Sequence, residues 1–560
     1  MRIYLEEKKQ KKKSTGKLFK VSLIISFFAL FFTLWVLEGN LFLSALKYTF
    51  LPKGKVKYQT YTISFDDTVS DIYIENIEKS LGALQFNEKP RFSFKKGNRS
   101  DIKISMVSNE KSKKISGKDL IPVGHLYSLL DNTKREELEK YNIFVLSELN
   151  NQFLKEEYSL SSTVLSSTDE LLLKLKEGDN NIAFLDFKDL DFRFKILKLD
   201  DDYYLDNNSA SLSANFYLDV KENVSDYIIT VISKNIDLGD SSWDRDKLVK
   251  INMAGVVAMS RGLALLTDRS GDYGYAARNI GEFLADADLT HVSNEASFVP
   301  GCNVYSGMVF CSRPEYMEVL QLSGVDIVEL TGNHNNDFGA QYSAASIQMY
   351  EEAGMRYFGG GLNNEDASEI LYENVNNSTI AFLGYNYYDS IYPSVAIASE
   401  IRSGANYYSE EKLERDIKKA KEKADIIIVT FQFQECWSYP ESDVIYPVCY
   451  RPLESPDQKK VFRMAIDLGA DIVVGSQAHQ PQTYELYEDG IIFYGTGNLF
   501  FDQYMWIGTR QGMVLSHYIY DGVHIQSKIT PIYTDRDLKP SIATQEQAEL
   551  LMKLLKDARD

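Results

Sequence analysis

The carboxyl-terminal half of the chain is patterned as short, wholly apolar runs alternating with stretches of helical spacing. That is the grammar of buried parallel strands and the helices that cross between them. Strands are predicted over 251–258, 291–295, 326–330, 379–385, 425–431 (DIIIVTF), 471–475 (DIVVG) and 491–494, and helices over 279–285, 342–353, 410–423 and 457–468. Ser409 caps the third of these helices, with Glu410 and Glu411 first and lysines last, as the helix dipole favours. Further upstream, 61–65 and 102–107 alternate as half-buried strands do, 169–177 has helical spacing and stops at Gly178, and 181–187 (NIAFLDF) reads as a buried strand. The expected fold class is α/β, with a membrane anchor, a smaller α/β domain and a larger one. At the end, 544–558 forms an amphipathic helix with Leu550, Leu551, Leu554 and Leu555 on one face, which most simply packs on its own domain.

Length and charge refine this. A chain of 560 residues is too long for one core, and a net charge of -19 argues against nucleic acid as a partner. The amino terminus departs from that acidity: Lys8, Lys9, Lys11, Lys12, Lys13, Lys17 and Lys20 precede 21–37, a run of 17 uncharged and largely apolar residues. The run is continuous and aromatic with no small-x-small site after it, which favours an uncleaved anchor over a cleaved signal. Lysines on its amino-terminal side put that end in the cytoplasm and the bulk outside, at the cell membrane as a single-pass protein. The expected divisions are a basic cytoplasmic tail over 1–16, a transmembrane anchor over 17–39 and a linker over 40–57. They continue with an α/β domain over 58–248, whose order of pieces resembles a solute-binding lobe, a larger domain over 249–540, and a terminal helix over 541–560. All four cysteines lie in the exported part as two local pairs, Cys302 with Cys311 and Cys436 with Cys449, each placed to staple a loop as a disulfide. Three pairings remain open on sequence alone.

Candidate chemistry gathers at strand ends. The strand 326–330 breaks at Thr331-Gly332, and Asn333, His334 and Asp337 follow. The carboxyl edge of an α/β sheet is where such folds keep their chemistry, although Asn and Asp there would also serve as helix caps. The same rule delivers Glu295, Gln432 and Glu435, Gln477 and His479, and Asn498 and Asp502. Five strand ends each bearing a carboxylate, amide or imidazole point to one convergent polar site. His125 stands alone and reads as structural. Tyr385, Tyr387, Tyr388, Trp437, Tyr439, Tyr504 and Trp506 offer either flat stacking surfaces for a polymer or ordinary packing.

At these residues the chain resembles the CapA family of capsule and poly-γ-glutamate synthesis proteins, itself similar to calcineurin-like metallophosphoesterases. LTGNHNNDFG resembles the family's Asn-Asn-His…Asp-x-Gly segment, HVSNEASF its Asn-Leu-Glu segment, GADIVVGSQAHQPQ its Gly-Ala-Asp…His-Pro-His…Gln segment, and IIFYGTGNLFFD its Ser-Leu-Gly-Asn-Phe segment. The resemblance implies a metallophosphoesterase-like α/β sandwich. It also implies metal ligands Asn333 and His479, joined by Glu295, with His334 and Asp337 for acid–base work; the amides of Gln432, Gln477, Gln482 and Asn498, with Glu435, read by their own chemistry as substrate contacts. The chain departs from the family at three points. Val256 follows Gly255 where the family has a metal-holding Asp, Gln432-Phe433-Gln434 replaces His-Trp-Gly, and Gln477 replaces the first His of His-Pro-His. What remains would hold one divalent ion or none. Two functions follow as expectations. One is a metal-assisted hydrolase or acyl transferase in envelope polymer synthesis; the other is a relative that binds a glycan or anionic polymer without turnover.

Overall fold

The computed structural model describes residues 60–559 apart from 86–90, 96–99, 110–111, 208–209, 237–243, 306, 388–394 and 434–457. The basic tail, the anchor expected over 17–39, the linker and the Cys436–Cys449 pair all lie outside these residues. Among the described residues no helix is long and apolar enough to cross a membrane.

Residues 60–220 build a nine-stranded sheet. Its strands run in the order Arg91–Phe94, Thr60–Phe65, Ile102–Ser105, Leu212–Val220, Lys113–His125, Asn181–Leu185, Asn142–Val145 and Thr163–Val164, with Phe194–Ile196 also on Lys113–His125. Its helices start where a serine can accept a backbone N–H: Ser147 Oγ from Asn150 at 3.1 Å and Ser167 Oγ from Glu170 at 3.2 Å. In this core the ammonium of Lys118 sits 2.9 Å from Asp186, both buried, and Asn150 Nδ2 donates to the other Asp186 oxygen at 3.0 Å. A buried pair survives only with its remaining lone pairs satisfied in this way. His125 is buried, and its Nδ1 accepts from the Tyr127 N–H at 3.1 Å, which is the structural role expected of it.

The rest of the chain forms two stacked sheets with helices on their outer faces. In the first, Arg356–Phe358, Ile327–Glu329, Leu289–Asn294 and Leu248–Val257 run parallel; Gln511–Tyr520, Val523–Thr534 and Pro540–Ile542 continue antiparallel. In the second, Ser378–Asn386, Ile426–Gln432, Ile472–Ser476 and Gly490–Phe493 run parallel between antiparallel edges Leu371–Val375 and Tyr484–Tyr487. The strands alternate strictly. Ile380, Phe382, Ile426, Ile428, Ile472 and Val474 face the other sheet's Val249, Ile251, Met253 and Phe358. Ala381, Leu383, Ile427, Val429 and Val473 face the helices Glu410–Ala420 and Gln458–Leu468. These central strands are therefore apolar on both faces, which is why the sequence shows continuous runs there rather than alternation. The Glu410–Ala420 helix is capped as expected, Ser409 Oγ accepting from the Lys412 N–H at 3.2 Å, but it ends three residues short of the predicted 423.

The final helix, Gln545–Arg559, buries Leu551 and Leu555 in the layer between sheets and leaves Leu550 47% exposed, so the apolar face is narrower than expected. It touches both parts of the chain. Thr483 Oγ1 donates to the Leu555 carbonyl at 2.8 Å, while Lys556 lies 3.7 Å from Asp179 and Arg559 stacks 3.6 Å over Tyr127.

Two tests follow from this packing. A Cβ at Gly255 would fall 2.0 Å from the Gly497 carbonyl oxygen, because the Asn498–Phe500 strand crosses there. Gly255→Ala is expected to cost roughly 2–3 kcal/mol and to lower the melting midpoint; an unchanged midpoint would show that the crossing is loose. Second, burial pushes His125 and His524 down to about 4 and His517 well below the usual imidazole value. The unfolded chain protonates these rings near pH 6.5 and the folded chain resists, so stability falls as pH drops from about 6.5 toward 4. Asp471, pushed up to about 6 by burial, opposes this over the lower part of the window. Denaturant titrations should therefore show His524→Gln losing less stability than the parent between those pH values.

Candidate functional site

The inward faces of the two sheets stay apolar until their carboxyl ends and then turn polar together. Asn386 pairs with Gln432 in register, and Gln432 with Ser476. Counting by twos from Phe382 and Ile428 puts the Asn386 and Gln432 side chains on the face turned to the other sheet. There Asn386 Nδ2 donates to Gln432 Oε1 at 2.5 Å and to the Thr331 carbonyl at 2.9 Å. Gln432 Nε2 donates to Asn333 Oδ1 at 2.9 Å and also to Gln477 Oε1. Asn386, Gln432 and Gln477 are fully buried, whereas Asn333 is half-buried at the surface of this chain of amides. The bonds from Asn386 and Gln432 to the 331–333 turn join the two sheets across their edge.

The 331–337 turn is held tightly. A Cβ at Gly332 would come within 2.7 Å of the Glu295 Cα, so only glycine lets the turn pass over the end of the Leu289–Asn294 strand. Asn335 and Asn336 are spent on backbone carbonyls, Asn335 on Leu330 at 3.2 Å and Asn336 on Val395 at 2.7 Å. Asp337 does not cap the following helix, whose N-cap is Gly339 with φ 107°. Asp337 Oδ2 meets His334 Nδ1 at 2.7 Å and accepts the Phe310 N–H at 2.6 Å, while the Phe310 ring packs 4.1 Å from the imidazole.

His479 completes the inner wall. Asn498 Nδ2 donates to the Thr509 carbonyl at 3.1 Å, so its Oδ1 faces His479 Nδ1, 2.9 Å away, as an acceptor. Nδ1 therefore carries the proton in this arrangement. Burial pulls His479 down to about 4 and His334 and Arg261 add to that, against the Asn498 bond, so the ring is neutral at ordinary pH. Gln477 and His479 both hold positive φ, 82° and 54°, a backbone cost that side chains normally avoid and that clusters at functional positions.

Arg261, also at positive φ (50°), lies 2.5 Å from Asp502 Oδ1 with its guanidinium 4.6 Å and 4.9 Å from the centroids of Phe310 and Phe501. Asp502 Oδ2 accepts the Gly262 N–H at 2.8 Å. Around this mouth Tyr305, Met308, Val309, Tyr504, Met505 and Trp506 are exposed. The disulfide Cys302–Cys311 closes the loop that carries the first three.

Of the sequence candidates, Glu295, Asn333, His334, Asp337, Gln432, Gln477, His479 and Asn498 stand at this edge. Gln482 turns elsewhere, its Oε1 accepting from Gln458 Nε2 at 3.3 Å. Glu435, Tyr388, Trp437 and Tyr439 lie outside the described residues. Tyr385 and Tyr387 are core, stacked on Phe431 and Phe433 at 5.8 and 4.2 Å. Sequence reasoning missed Arg261 and Asn386. Asn386 ends a strand by the same rule that found Gln432; Arg261 opens the helix Arg261–Ser270 beyond its strand and gave no such signal.

The donors present do not fit the two-ion centre that the family pattern implies. Val256 and Ala258 are packed with Ala296, Phe310 and Phe501, an apolar cluster standing where the family pattern has a carboxylate. The amides at 432 and 477 bond to each other, and His479 Nδ1 is committed to Asn498. Among the described residues no group of three or more His, Cys, Asp or Glu is placed to hold a metal ion.

Residues 250–503 match the family described as bacterial capsule synthesis protein PGA_cap. A capsule biosynthesis protein CapA of Bacillus anthracis is 26% identical over 328 residues, 56% of this chain and 74% of that protein. The PGA biosynthesis protein CapA of Bacillus subtilis (strain 168) is 26% identical over 222 residues, 40% of this chain and 54% of its own length. An ABC-type phosphate transport receptor from Vibrio cholerae overlays 31% of this chain and 94% of its own with 13% identity and a TM-score of 0.22, too slight a likeness to carry an argument. Over residues 250–503, a little under half of its length, this chain is thus similar to the CapA family.

Proposed function

We propose that this chain works in the synthesis or attachment of an envelope polymer of the capsule or poly-γ-glutamate class, and that it holds the polymer at the shared sheet edge without a metal ion. The observation that carries this reading is the hydrogen-bonded run Asn386–Gln432–Asn333 and Gln477. A satisfied row of neutral amides has no tendency to draw in a cation, and it fixes the orientation of Asn333 at the mouth. Fixed amides beside exposed aromatic faces are the means by which clefts hold amide chains and sugars. Trp506 and Tyr504 supply those faces here, 39% and 43% exposed.

A second reading is favoured by one contact. Asp337, 2.7 Å from His334 Nδ1, orients the ring as the carboxylate of an acid–base pair does. His334 would then move a proton to or from the bound polymer. We further propose that the chain is tethered at the cell membrane through 17–39 with its bulk outside. The lysines before that run support this orientation, and the Cys302–Cys311 bond suits an oxidising compartment.

The test uses the full chain in detergent. Elemental analysis after exposure to manganese, zinc or iron is expected to find no near-stoichiometric metal, while calorimetry finds saturable binding of oligo-γ-glutamate or a capsule glycan. Trp506→Ala should weaken that binding roughly tenfold, the loss of one stacking face. Near-stoichiometric metal that a His334→Ala, His479→Ala double variant loses would sink the metal-free reading. Failure to bind any polymer of this class would sink the rest. Turnover lost in His334→Ala with binding retained would decide for the acid–base role.

A further inference from the structure

Away from this edge, the 60–220 sheet and the stacked sheets leave between them a cleft of about 990 Å³, flanked by the Gln545–Arg559 helix. Its walls are joined where the Ile196 N–H donates to Gln526 Oε1 at 3.2 Å. Three ammonium groups converge on it. Lys195 and Lys198 reach from one wall and share Asp131, at 3.4 and 3.2 Å. Lys528 reaches from the other with its Nζ 4.0 Å from the centroid of the Tyr203 ring. Among the described residues no carboxylate lies within ion-pair distance of Lys528.

The other acids of the cleft are engaged elsewhere. Asp179 accepts from Ser128 Oγ at 2.6 Å and from the Leu129 N–H at 3.1 Å. Asp201 accepts from Asn132 Nδ2 at 2.6 Å, and Glu549 from Gln545 Nε2 at 2.9 Å. Lys553, also in the lining, adds a fourth cation. Burial lowers the ammonium pKa of Lys195 and of Lys528, and Lys198 lowers both further, against the pull of Asp131 on Lys195 and of Asp206 and then Asp131 on Lys528. The four lysines of the lining are matched in number by Asp131, Asp179, Asp201 and Glu549, but of these carboxylates only Asp131 lies within ion-pair distance of Lys195, Lys198 or Lys528 among the described residues, and Lys528 has none. Apolar side chains such as Leu130, Ile196 and Met552 line the space between.

We propose that this cleft is a binding site for an anion carrying two or more negative charges on a short aliphatic body, its acidic oxygens meeting Lys195, Lys198 and Lys528. A free dicarboxylate and the acidic end of a γ-linked glutamate chain share that chemistry. The cleft thereby gives the amino-terminal sheet a ligand of its own, independent of what the sheet edge holds.

Calorimetry on the full chain with glutarate, tri-γ-glutamate and inorganic phosphate, and with neutral glutaramide as control, tests this. Saturable binding of at least one anion and none of glutaramide is expected, weakening as salt is added. Preference for glutarate or for tri-γ-glutamate would tell the free acid from the polymer end. Lys528→Met, which breaks no ion pair, should weaken binding about tenfold or more with an unchanged melting midpoint, and Lys528→Arg should restore it. Absence of saturable binding of all three anions, equal binding of glutaramide, or full affinity in Lys528→Met would each overturn the proposal. Phe310 and Trp506 play no part in this cleft, so Trp506→Ala should leave glutarate binding intact and separate this site from the sheet edge.

Discussion

The apolar layer between the two stacked sheets is the constraint on which the rest of this structure depends. Ile251 and Met253 from one side and Ile380, Phe382, Ile428 and Val474 from the other are fully or almost fully buried in it. Each contributes on the order of 1.5–3 kcal/mol by leaving water. Because side chains alternate along a strand, a register slip of one residue would turn each of these outward and bring the helix-facing set inward. Register is therefore fixed, and with it the place where each strand runs out. The carboxyl ends of Ile327–Glu329, Ser378–Asn386, Ile426–Gln432 and Ile472–Ser476 finish at a common level, and the residues next in line meet across the gap.

At that level the chemistry is decided by desolvation. A buried amide left without a partner costs about 1–3 kcal/mol, so the amides of Asn386, Gln432 and Gln477 are stable there only as a connected row. The connection runs over to Asn333 on the opposite sheet, which makes the row a clasp between sheets as well as the floor of the mouth. The neutral imidazole of His479, with its Nδ1 on Asn498, adds a ring to that floor without adding charge. The paired charges stand nearer the surface, whereas the carboxyl of Glu295 is fully buried at the same edge. Arg261 is paired with Asp502 and sandwiched by Phe310 and Phe501, and Asp337 is placed against His334.

Much of this was legible in the sequence, for identifiable reasons. The runs IIIVTF and DIVVG could only be strands buried on both faces, and the polar residue after each run had to emerge at one edge. That rule found Glu295, Asn333, His334, Gln432, Gln477, His479 and Asn498 without any contact being known. It failed where a residue's place depends on long-range packing. Gln482 follows His479 closely in sequence, yet its side chain turns to Gln458 in a helix. Arg261 reaches the site because its backbone holds a positive φ and its guanidinium slots between two rings from distant segments, Phe310 and Phe501. Tyr385 and Tyr387 carried a composition that suits a binding cleft, and only the packing against Phe431 and Phe433 shows them to be core.

The departures from the family pattern also make sense together rather than singly. Removing one carboxylate from a metal centre would leave the other ligands buried, polar and unsatisfied, at a cost that grows with each orphan. Here the changes compensate one another. Val256 fills its place by packing with Ala296, Phe310 and Phe501, so no hole is left. Glutamine at both 432 and 477 gives each side chain a donor and an acceptor, which two imidazoles competing for one ion would not have, and the two amides meet directly. The result is a site whose buried amides are bonded to one another beside the buried carboxyl of Glu295, with Arg261–Asp502 and His334–Asp337 paired at the rim. Such a network is rigid because every member is satisfied. A rigid floor of amides beneath an aromatic rim supports the proposal that a chain of amides or hydroxyls passes over it. The physical case for binding therefore rests on what these residues do for each other and stands apart from the count of ligands lost.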